Sequence, residues 1–314
     1  MEASEYFKEW QEKRAPLLKR STYEAESIYI TRHIAPYFEG KELDELRAPH
    51  IHAYAVEKLR AGRRDGKGGL SLVSVKKHLS VIRHALRDAV VLGYIETNPA
   101  ENIRLRRRKS TLTARTVFLT PEDAQTLLDG LTGSQIAPAV ILSLYYGLRR
   151  SEVLGLKWSA IDFERNTLTV CHTVVKNLTI EVSDNTKTDT SRRTFELLPE
   201  VKAMLERIHA EHGRESPYIL HRTNGEPMRP DTLTRTFRRE LARIGLPPMR
   251  FHDLRHSTAS ILIERGWSLE DVKSWLGHAD IETTSNIYIH YSRQRKVMLA
   301  GNLVGMFDLP QTPK

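Results

Sequence analysis

A short basic stretch without hydrophobic periodicity divides the chain into two blocks. Residues 104–117 are rich in arginine and threonine, have few apolar side chains and show no clear helical or strand period. These properties are typical of a basic linker between domains. At 314 residues the chain is long enough for two domains, each with its own core. The sequence therefore predicts one domain over residues 1–103, the linker 104–117 and a second domain over residues 118–314.

The first hundred residues carry helical periodicity. Apolar residues fall at three- and four-residue steps in Thr22–Phe38, Ile51–Leu59 and Leu72–Leu92, which predicts an all-helical domain. Between the last two runs lies GRRDGKGG, a glycine-rich turn. Such a turn is usually a solvated loop, but its basic side chains can also contact phosphate. The candidate contacts in this turn are Arg63, Arg64 and Lys67.

The second block mixes strand and helix signals. Thr120 followed by Pro121 predicts the start of a helix, with threonine as N-cap and proline at the first helical position. Ser159–Val182 alternates between apolar and polar residues and contains two turns, as antiparallel strands do. Further helices are predicted at Pro199–Glu211, Arg229–Ile244, His252–Arg265, Leu269–Leu276 and Ile281–His290. The predicted fold is mainly α, with an all-helical first domain and a mixed α+β second domain that holds a small antiparallel sheet.

The composition favours a polyanionic partner and excludes a membrane span. The formal net charge is +9 and the isoelectric point is near 9.6, which suits nucleic acid. No apolar run approaches the roughly 20 residues that cross a bilayer, and the N-terminus lacks the features of a secretory signal. We therefore expect a cytoplasmic protein. The single cysteine, Cys171, cannot form an intrachain disulfide and is interpreted as a packing residue.

Several short stretches of the second block hold polar residues that a core would not favour. Arg149 and Glu152 lie three residues apart at a helix start, so the carboxylate can orient the guanidinium. A surface ion pair is the alternative interpretation. The stretch FHDLRHSTAS places His252, Arg255 and His256 at i, i+3 and i+4. The two histidines have metal-ligand spacing, but the sequence offers no evident third ligand, which disfavours zinc.

Basic and aromatic residues in this combination suit phosphoryl transfer without a metal. The second block contains two such arginines, a lysine in a polar turn, histidines and tyrosines, and it has no carboxylate cluster for magnesium. The arginines would bind non-bridging phosphate oxygens and stabilise the charge of the transition state, and the lysine would supply a proton. No cofactor is expected.

Four stretches in series resemble the motifs of the tyrosine recombinases, the phage integrase family. They are GLRRSEVLGLKW, TKTDTSRR, HDLRHSTAS and LGHADIETTSNIYIHY. Residues 1 to about 105 resemble the family's helical, SAM-like core-binding domain by size and pattern. The resemblance implies that the two domains form a C-shaped clamp around duplex DNA, and that the second domain is catalytic. Many such integrases carry a further N-terminal domain for arm-type DNA sites, whereas we expect this chain to begin at the core-binding domain.

The resemblance also assigns roles to individual residues. In the family a tyrosine follows the histidine of LGH by ten residues, which selects Tyr288 as nucleophile over its neighbour Tyr291. Glu152 would support Arg149, and His256 would support the site without taking part in catalysis. His252 would accept the proton of the nucleophile. The expected catalytic residues are Arg149, Lys187, His252, Arg255, His278 and Tyr288.

The expected activity is site-specific recombination by an integrase of a phage or integrative element. Tyr288 would attack a DNA phosphodiester and form a 3′-phosphotyrosine, so the bond energy is kept and no ATP is needed. The linker residues Arg106, Arg107, Arg108 and Lys109 would contact the DNA backbone. Two alternatives remain: a type IB topoisomerase, which reseals the same strand, and a DNA-binding regulator that has lost catalysis.

The last segment of the chain carries an apolar stripe. Val297, Ala300, Leu303, Val304 and Phe307 recur at three- and four-residue steps. The stripe packs either on its own domain or, as the resemblance implies, on a neighbouring subunit. We expect a homo-oligomer, with a tetramer in the synaptic complex and a monomer or dimer otherwise.

Overall fold

The computed structural model describes residues 1–105, 118–176, 180–183 and 193–277, and describes only the backbone at 175–176 and 180–183. The chain divides into two compact units, Met1–Thr113 and Ala114–Lys314. The described part of the first unit is helical throughout. The second unit combines helices with short antiparallel strands. A mainly α fold with a small antiparallel sheet in the second unit is therefore confirmed.

The first unit consists of helices around one aromatic core. Its α-helices are α1 (Ala3–Arg14), α2 (Arg20–Tyr29), α3 (Ala35–Phe38), α4 (Ala48–Ala61) and α5 (Leu72–Val91). A π-helical turn, Ile30–Ile34, joins α2 to α3 just before Pro36, whose ring and missing N–H disfavour regular α-helix. Phe7, Phe38 and Tyr54 pack together in this core.

The second unit places nearly all of its helices around a second core. They are α6 (Pro121–Gly130), α7 (Ala137–Tyr146), α8 (Arg150–Gly155), α9 (Pro199–His212), α10 (Pro230–Ile244), α11 (Asp253–Glu264) and α12 (Leu269–Leu276). Thr120 caps α6 as predicted: its side chain accepts a hydrogen bond from the backbone N–H of Asp123. Helix α7 is apolar on nearly every side because it lies inside this core, against α11 and α8.

The strands of the second unit form two small antiparallel sheets where the sequence predicted one. Strands β1 (Ile161–Asp162), β2 (Thr167–Val170) and β5 (Arg193–Glu196) form the first sheet in the order β1-β2-β5. Strands β3 (Thr173–Lys176) and β4 (Ile180–Ser183) form the second. In the first sheet Val170 lies opposite Arg193, which fixes the start of β5 at the end of β2.

Candidate active site

A glycine at the end of α7 sets the position of the first predicted arginine. Gly147 has φ +61°, a left-handed conformation that side chains disfavour. A Cβ at this position would also lie 2.1 Å from Cδ2 of Leu276, at the end of α12. A side chain here would displace Leu276 and strain the backbone, which favours glycine, and the sharp turn leaves Arg149 in extended conformation as the N-cap of α8. The ends of α7 and α12 and the start of α8 therefore meet at one point.

Glu152 orients Arg149, as the three-residue spacing predicted. The Glu152 carboxylate accepts a hydrogen bond from Arg149 Nη1 at 2.7 Å and another from the Arg149 backbone N–H at 2.8 Å. Arg149 Nη2 donates to the carbonyl oxygen of Gly277 at 3.1 Å. The Arg149 side chain remains 34% exposed, whereas that of Glu152 is 3% exposed. The Glu152 carboxylate is therefore enclosed within the unit, whereas the Arg149 guanidinium is partly exposed to solvent.

A second arginine, which the sequence analysis did not single out, binds the same carboxylate. Arg193 opens β5 and donates from Nη2 to Oε2 of Glu152 at 2.8 Å, and from Nη1 to Oε1 at 3.2 Å. Its side chain is 9% exposed and its guanidinium lies over the Phe195 ring, 5.5 Å from the centroid. The only local signal is an arginine at the start of a strand, directly after the polar run TDTSR.

The charge state of Glu152 follows from these contacts. Burial alone would raise the pKa of its carboxyl group, but the hydrogen bonds and charges of Arg193 and Arg149 outweigh burial and hold the pKa below its ordinary value. Glu152 is therefore ionised at neutral pH. A buried carboxylate that carries its charge can hold both guanidinium groups in fixed orientations.

Arg255 is the buried member of the predicted arginine pair. It lies on α11 and is 1% exposed. Its Nη1 donates to the carbonyl oxygen of Gly147 and its Nη2 to that of Leu276. Burial, and then the nearby charge of Arg149, lower the pKa of Arg255 to about 9, so the side chain stays charged at neutral pH. Arg149 and Arg255 therefore hold adjacent carbonyl groups at the end of α12.

His252 and His256 meet at the start of α11. The sequence predicted His252 inside the helix, but α11 begins at Asp253 and His252 is its N-cap. The two imidazole rings lie edge to face with their centroids 4.9 Å apart. Partial burial of the ring, reinforced by His256 and by the two site arginines, lowers the pKa of His252 to about 4. The residue keeps an exposed edge, so solvent screens part of this effect. The ring is neutral at pH 7 and can accept a proton.

The structure thus brings together part of the predicted site. Arg149 and Arg255 converge on the end of α12, Glu152 orients Arg149, and His252 lies within the field of both arginines. The predicted catalytic residues Lys187, His278 and Tyr288 lie outside the described residues, as do Tyr291 and the tail stripe. The linker residues Arg106, Arg107, Arg108 and Lys109 also lie outside them.

The basic turn of the first unit lies between α4 and α5. Arg63, Arg64 and Lys67 are all exposed there. Arg63 pairs with Asp65 at 2.6 Å, and this contact holds the pKa of Asp65 at about 2, below its ordinary value. Asp65 also accepts a hydrogen bond from the backbone N–H of Lys67 at 3.1 Å. The turn presents basic groups to solvent, and its role in DNA binding stays a prediction.

The described residues hold neither a metal-binding cluster nor a membrane-spanning helix. Within them, no group of three or more histidine, cysteine, aspartate or glutamate side chains is arranged to hold a metal ion. None of the helices in the described ranges is long and apolar enough to cross a membrane.

Comparison with known families and proteins gives matches over both units. Residues 117–295 match the model of the phage integrase family, and residues 4–59 match that of the phage integrase N-terminal SAM-like domain. A XerC-like tyrosine recombinase of Caldanaerobacter subterraneus subsp. tengcongensis is 26% identical over 93% of this chain and 80% of that protein. The ICEBs1 integrase of Bacillus subtilis is 24% identical, with 89% and 77% covered. The tyrosine recombinase XerC of Chlamydia muridarum is 31% identical, with 71% and 68% covered.

Solved structures of DNA-bound integrases share the fold. The Tn1549 transposon integrase in complex with transposon right end DNA superposes with a TM-score of 0.78 at 20% identity, over 96% of this chain and all of that chain (100%). A lambda integrase dimer bound to a core site gives a TM-score of 0.70 at 21% identity, over 91% and 76%. The family model covers residues 117–295, more than half of the chain. The chain belongs to the phage integrase family, and is a tyrosine recombinase, an enzyme of site-specific DNA cleavage and rejoining.

Proposed function

We propose that this tyrosine recombinase is the integrase of a mobile genetic element and acts through a 3′-phosphotyrosine on Tyr288. One observation carries the proposal: Arg149 and Arg255 converge, already charged and oriented, on the residues that directly precede His278. Similarity to the ICEBs1 integrase and to the Tn1549 transposon integrase supports a mobile element as its source.

The arginines supply the electrostatic part of the mechanism. A guanidinium offers several N–H donors in one plane, which match the non-bridging oxygens of a phosphodiester. Arg149 is partly exposed and is the first of the pair to meet a phosphate that approaches from solvent. The charge of Arg255 acts from inside the unit on the same point. Together they stabilise the negative charge that develops on phosphorus-bound oxygens in the transition state.

Proton transfer completes the cleavage step. The Tyr288 hydroxyl gives its proton to the neutral His252 ring as its oxygen bonds to phosphorus. The bond between phosphorus and the 5′-oxygen breaks, and Lys187 donates a proton to that oxygen. Rejoining reverses each transfer, with the 5′-hydroxyl of another strand as the attacking group. The energy of the broken bond is held in the phosphotyrosine, so neither ATP nor a metal ion is required.

Basic surfaces on both units would bind the duplex. In the first unit these are Arg63, Arg64 and Lys67, and in the linker Arg106, Arg107, Arg108 and Lys109. In the second unit, helix α10 also exposes arginines that the sequence analysis did not single out: Arg235, Arg238 and Arg239. Arg150, the neighbour of Arg149, ties this helix to α8 by donating to Thr234 Oγ1 at 2.8 Å. Positive charge on each unit suits binding to a polyanion.

Strand exchange requires several copies of the chain on paired sites. The lambda integrase has been observed as a tetramer bound to a Holliday junction, and that structure superposes on this chain with a TM-score of 0.68. We propose the same assembly here, with the apolar stripe from Val297 to Phe307 packed on a neighbouring subunit.

A covalent-capture experiment tests the proposal. Purified protein is incubated, in EDTA and without ATP, with nicked duplexes made from genomic fragments that flank its gene, and adducts are resolved in denaturing gels. We expect a covalent band on an attachment site and recombinant products when two sites are supplied. Resealing of the same strand without exchange would indicate a topoisomerase. Sequence-specific binding without any adduct would indicate a DNA-binding regulator.

A further inference from the structure

We propose that Arg193 is a positioning residue for Arg149 and acts through the carboxylate that the two arginines share. The proposal rests on the proposed function, because cleavage is one of its readouts. Each oxygen of Glu152 accepts hydrogen bonds from both residues: Oε1 from the Nη1 atoms of Arg149 and Arg193, and Oε2 from the Arg149 backbone N–H and Arg193 Nη2. Removal of Arg193 therefore changes both acceptors that orient Arg149.

The two arginines differ in exposure, and the difference assigns their roles. Arg193 is 9% exposed and is covered by protein, whereas Arg149 is 34% exposed. The exposed part of the Arg149 guanidinium can contact a phosphate that arrives from solvent, so Arg149 is suited to bind the substrate directly. Arg193 is suited to keep Glu152 ionised and fixed. A buried carboxylate with a single, partly solvated cation would have less of its charge compensated.

The cluster carries an excess of positive charge. Among the described residues, the charged groups that face Glu152 are Arg149 before α8, Arg193 at the start of β5 and Arg255 on α11. Three cations around one carboxylate repel one another, and burial adds a desolvation penalty. The cluster is therefore expected to contribute little to the stability of the fold. The excess is compensated when an anion such as a DNA phosphate binds. This balance fits a preorganised anion site better than a structural ion pair.

Arg193 also packs against the residue that Arg149 holds. Gly277 has φ +64°, and a Cβ there would lie 3.2 Å from Cδ and from Nη1 of Arg193. The carbonyl oxygen of the same Gly277 accepts the hydrogen bond from Arg149 Nη2. Arg193 thus fixes Arg149 from two sides, through the carboxylate and through the end of α12. The start of β5 is thereby linked to the arginine that is suited to meet the substrate.

Cleavage rates as a function of pH test the proposal on the full chain. We expect Arg193→Gln to slow covalent-complex formation by about 10-fold to 100-fold, the size typical of residues that orient a reactive group. DNA affinity should change far less. Without Arg193 the pKa of Glu152 rises, so Glu152 becomes protonated, and Arg149 loses its ionised partner, at a higher pH. The acid limb of the rate profile, where cleavage slows as the pH falls, therefore shifts to higher pH. Arg193→Lys retains a charge and should recover part of the rate.

Combining Arg193→Gln with Glu152→Gln tests whether the loss of Arg193 slows cleavage through the Glu152 carboxylate. A double variant, Arg193→Gln with Glu152→Gln, should be no slower than the slower single variant, and the shift of the acid limb should disappear. Arg243→Gln is the matched control, because Arg243 also pairs with a buried glutamate, Glu240, at 2.7 Å. We expect this control to leave the cleavage profile unchanged.

Two outcomes separate this proposal from the proposed function. Additive losses in the double variant, or an unmoved acid limb in Arg193→Gln protein that remains folded, would overturn the role of Arg193. Absence of any adduct with the unmodified chain would instead refute the proposed function. In that case pH-dependent unfolding without DNA still tests the contact: we expect Arg193→Gln to lose stability at a higher pH than the unmodified chain, because the ionised Glu152 stabilises the fold only above its folded-state pKa.

Discussion

The two units bury different kinds of groups. In the first unit the buried contact between polar side chains is neutral: the Tyr54 hydroxyl and Nδ1 of His78 lie 2.8 Å apart, and both residues are almost fully buried. In the second unit the Glu152 carboxylate and the Arg255 guanidinium are both buried, and Arg193, which pairs with Glu152, is only 9% exposed. Both units also have large apolar cores. The first unit also buries a carboxylate, Glu24, but its partner Arg20 is 58% exposed. Among the described residues, therefore, the second unit alone encloses charges of both signs together.

This difference separates packing from chemistry. Buried charges contribute little net stability, since desolvation offsets most of their attraction, and apolar residues of similar size stabilise a core as well or better. Charges fixed in place are, however, the main means by which enzymes stabilise charged transition states. We therefore expect the chemical step to depend on the second unit, and the first unit to tolerate perturbation without loss of that step.

Among changes in the second unit, substitution of the proposed nucleophile should have the largest effect on cleavage. Tyr288→Phe removes the only hydroxyl assigned to attack phosphorus, so we expect covalent adduct to be abolished on a nicked duplex while DNA binding remains. Tyr291→Phe is the matched control, three residues away in the chain, and should still form the adduct. Gel analysis of adduct and a binding assay give both readouts. Adduct from the Tyr288 variant but not from the Tyr291 variant would reverse the assignment.

Lys187 is expected to give the next largest effect. If it protonates the leaving 5′-oxygen, Lys187→Ala should slow cleavage by roughly 10²–10⁴-fold. A substrate with sulfur at the bridging 5′ position has a leaving group that needs no proton, and the variant should regain its rate on it. Single-turnover cleavage of the two substrates gives the comparison. A variant that stays slow on the sulfur substrate would assign Lys187 another role.

The arginine pair tests whether the buried charges matter for the chemical step. Arg149→Ala and Arg255→Ala should each slow cleavage by about 10²–10³-fold, the loss expected when one preorganised group that stabilises the transition-state charge is removed. Arg255→Ala should also destabilise the second unit, because it leaves the carbonyl groups of Gly147 and Leu276 without this donor. Cleavage measured per folded molecule separates the two effects. If either arginine variant cleaved at nearly the rate of the unmodified chain, the buried charges of the second unit would not be needed for the chemical step.

In the first unit, pH should change the stability of the fold through His78 without changing the rate of the chemical step. Burial lowers the pKa of His78 to about 4, from an ordinary value near 6.5. Between these two pKa values His78 is protonated in the unfolded chain but neutral in the folded unit. The free energy of unfolding therefore falls as the pH drops from about 6.5 toward 4. The loss reaches about 3 kcal/mol at most.

Hydrogen exchange of α5 followed by mass spectrometry measures this loss. We expect faster exchange at pH 5 than at pH 7, after correction for the intrinsic rates. His78→Gln lacks the titrating ring and should flatten the dependence. The cleavage rate per folded molecule should be equal in the two proteins, and a slower chemical step in the His78 variant would contradict the separation of roles.

The parts of the fold that sequence predicted are those with local causes. Helix α12 has the predicted bounds, Leu269–Leu276, because a serine N-cap before it and a glycine after it mark both ends. The antiparallel strands were predicted from alternation, but their division into two sheets was not. Strand β5 pairs with β2 across more than twenty residues of intervening chain, and no local pattern encodes that choice.

The candidate site shows the same limit. The Arg149–Glu152 contact was predicted because three-residue spacing at a helix start fixes it. Arg193 was missed because its partner Glu152 is 41 residues away in sequence, and a single arginine at a strand start carries no signal. The burial of Arg255 also depends on distant residues, since its contact with Gly147 spans 108 positions. Long-range contacts decide which charges are enclosed.

The glycine at the end of α7 determines how the site tolerates mutation. Gly147 bears no chemical group, yet any side chain there would displace Leu276 and force an unfavourable backbone conformation. Leu276 carries the carbonyl that Arg255 holds, and the next carbonyl is held by Arg149. In a saturation screen for recombination, position 147 should therefore accept as few substitutions as the positions of the two arginines, although it takes no part in the reaction.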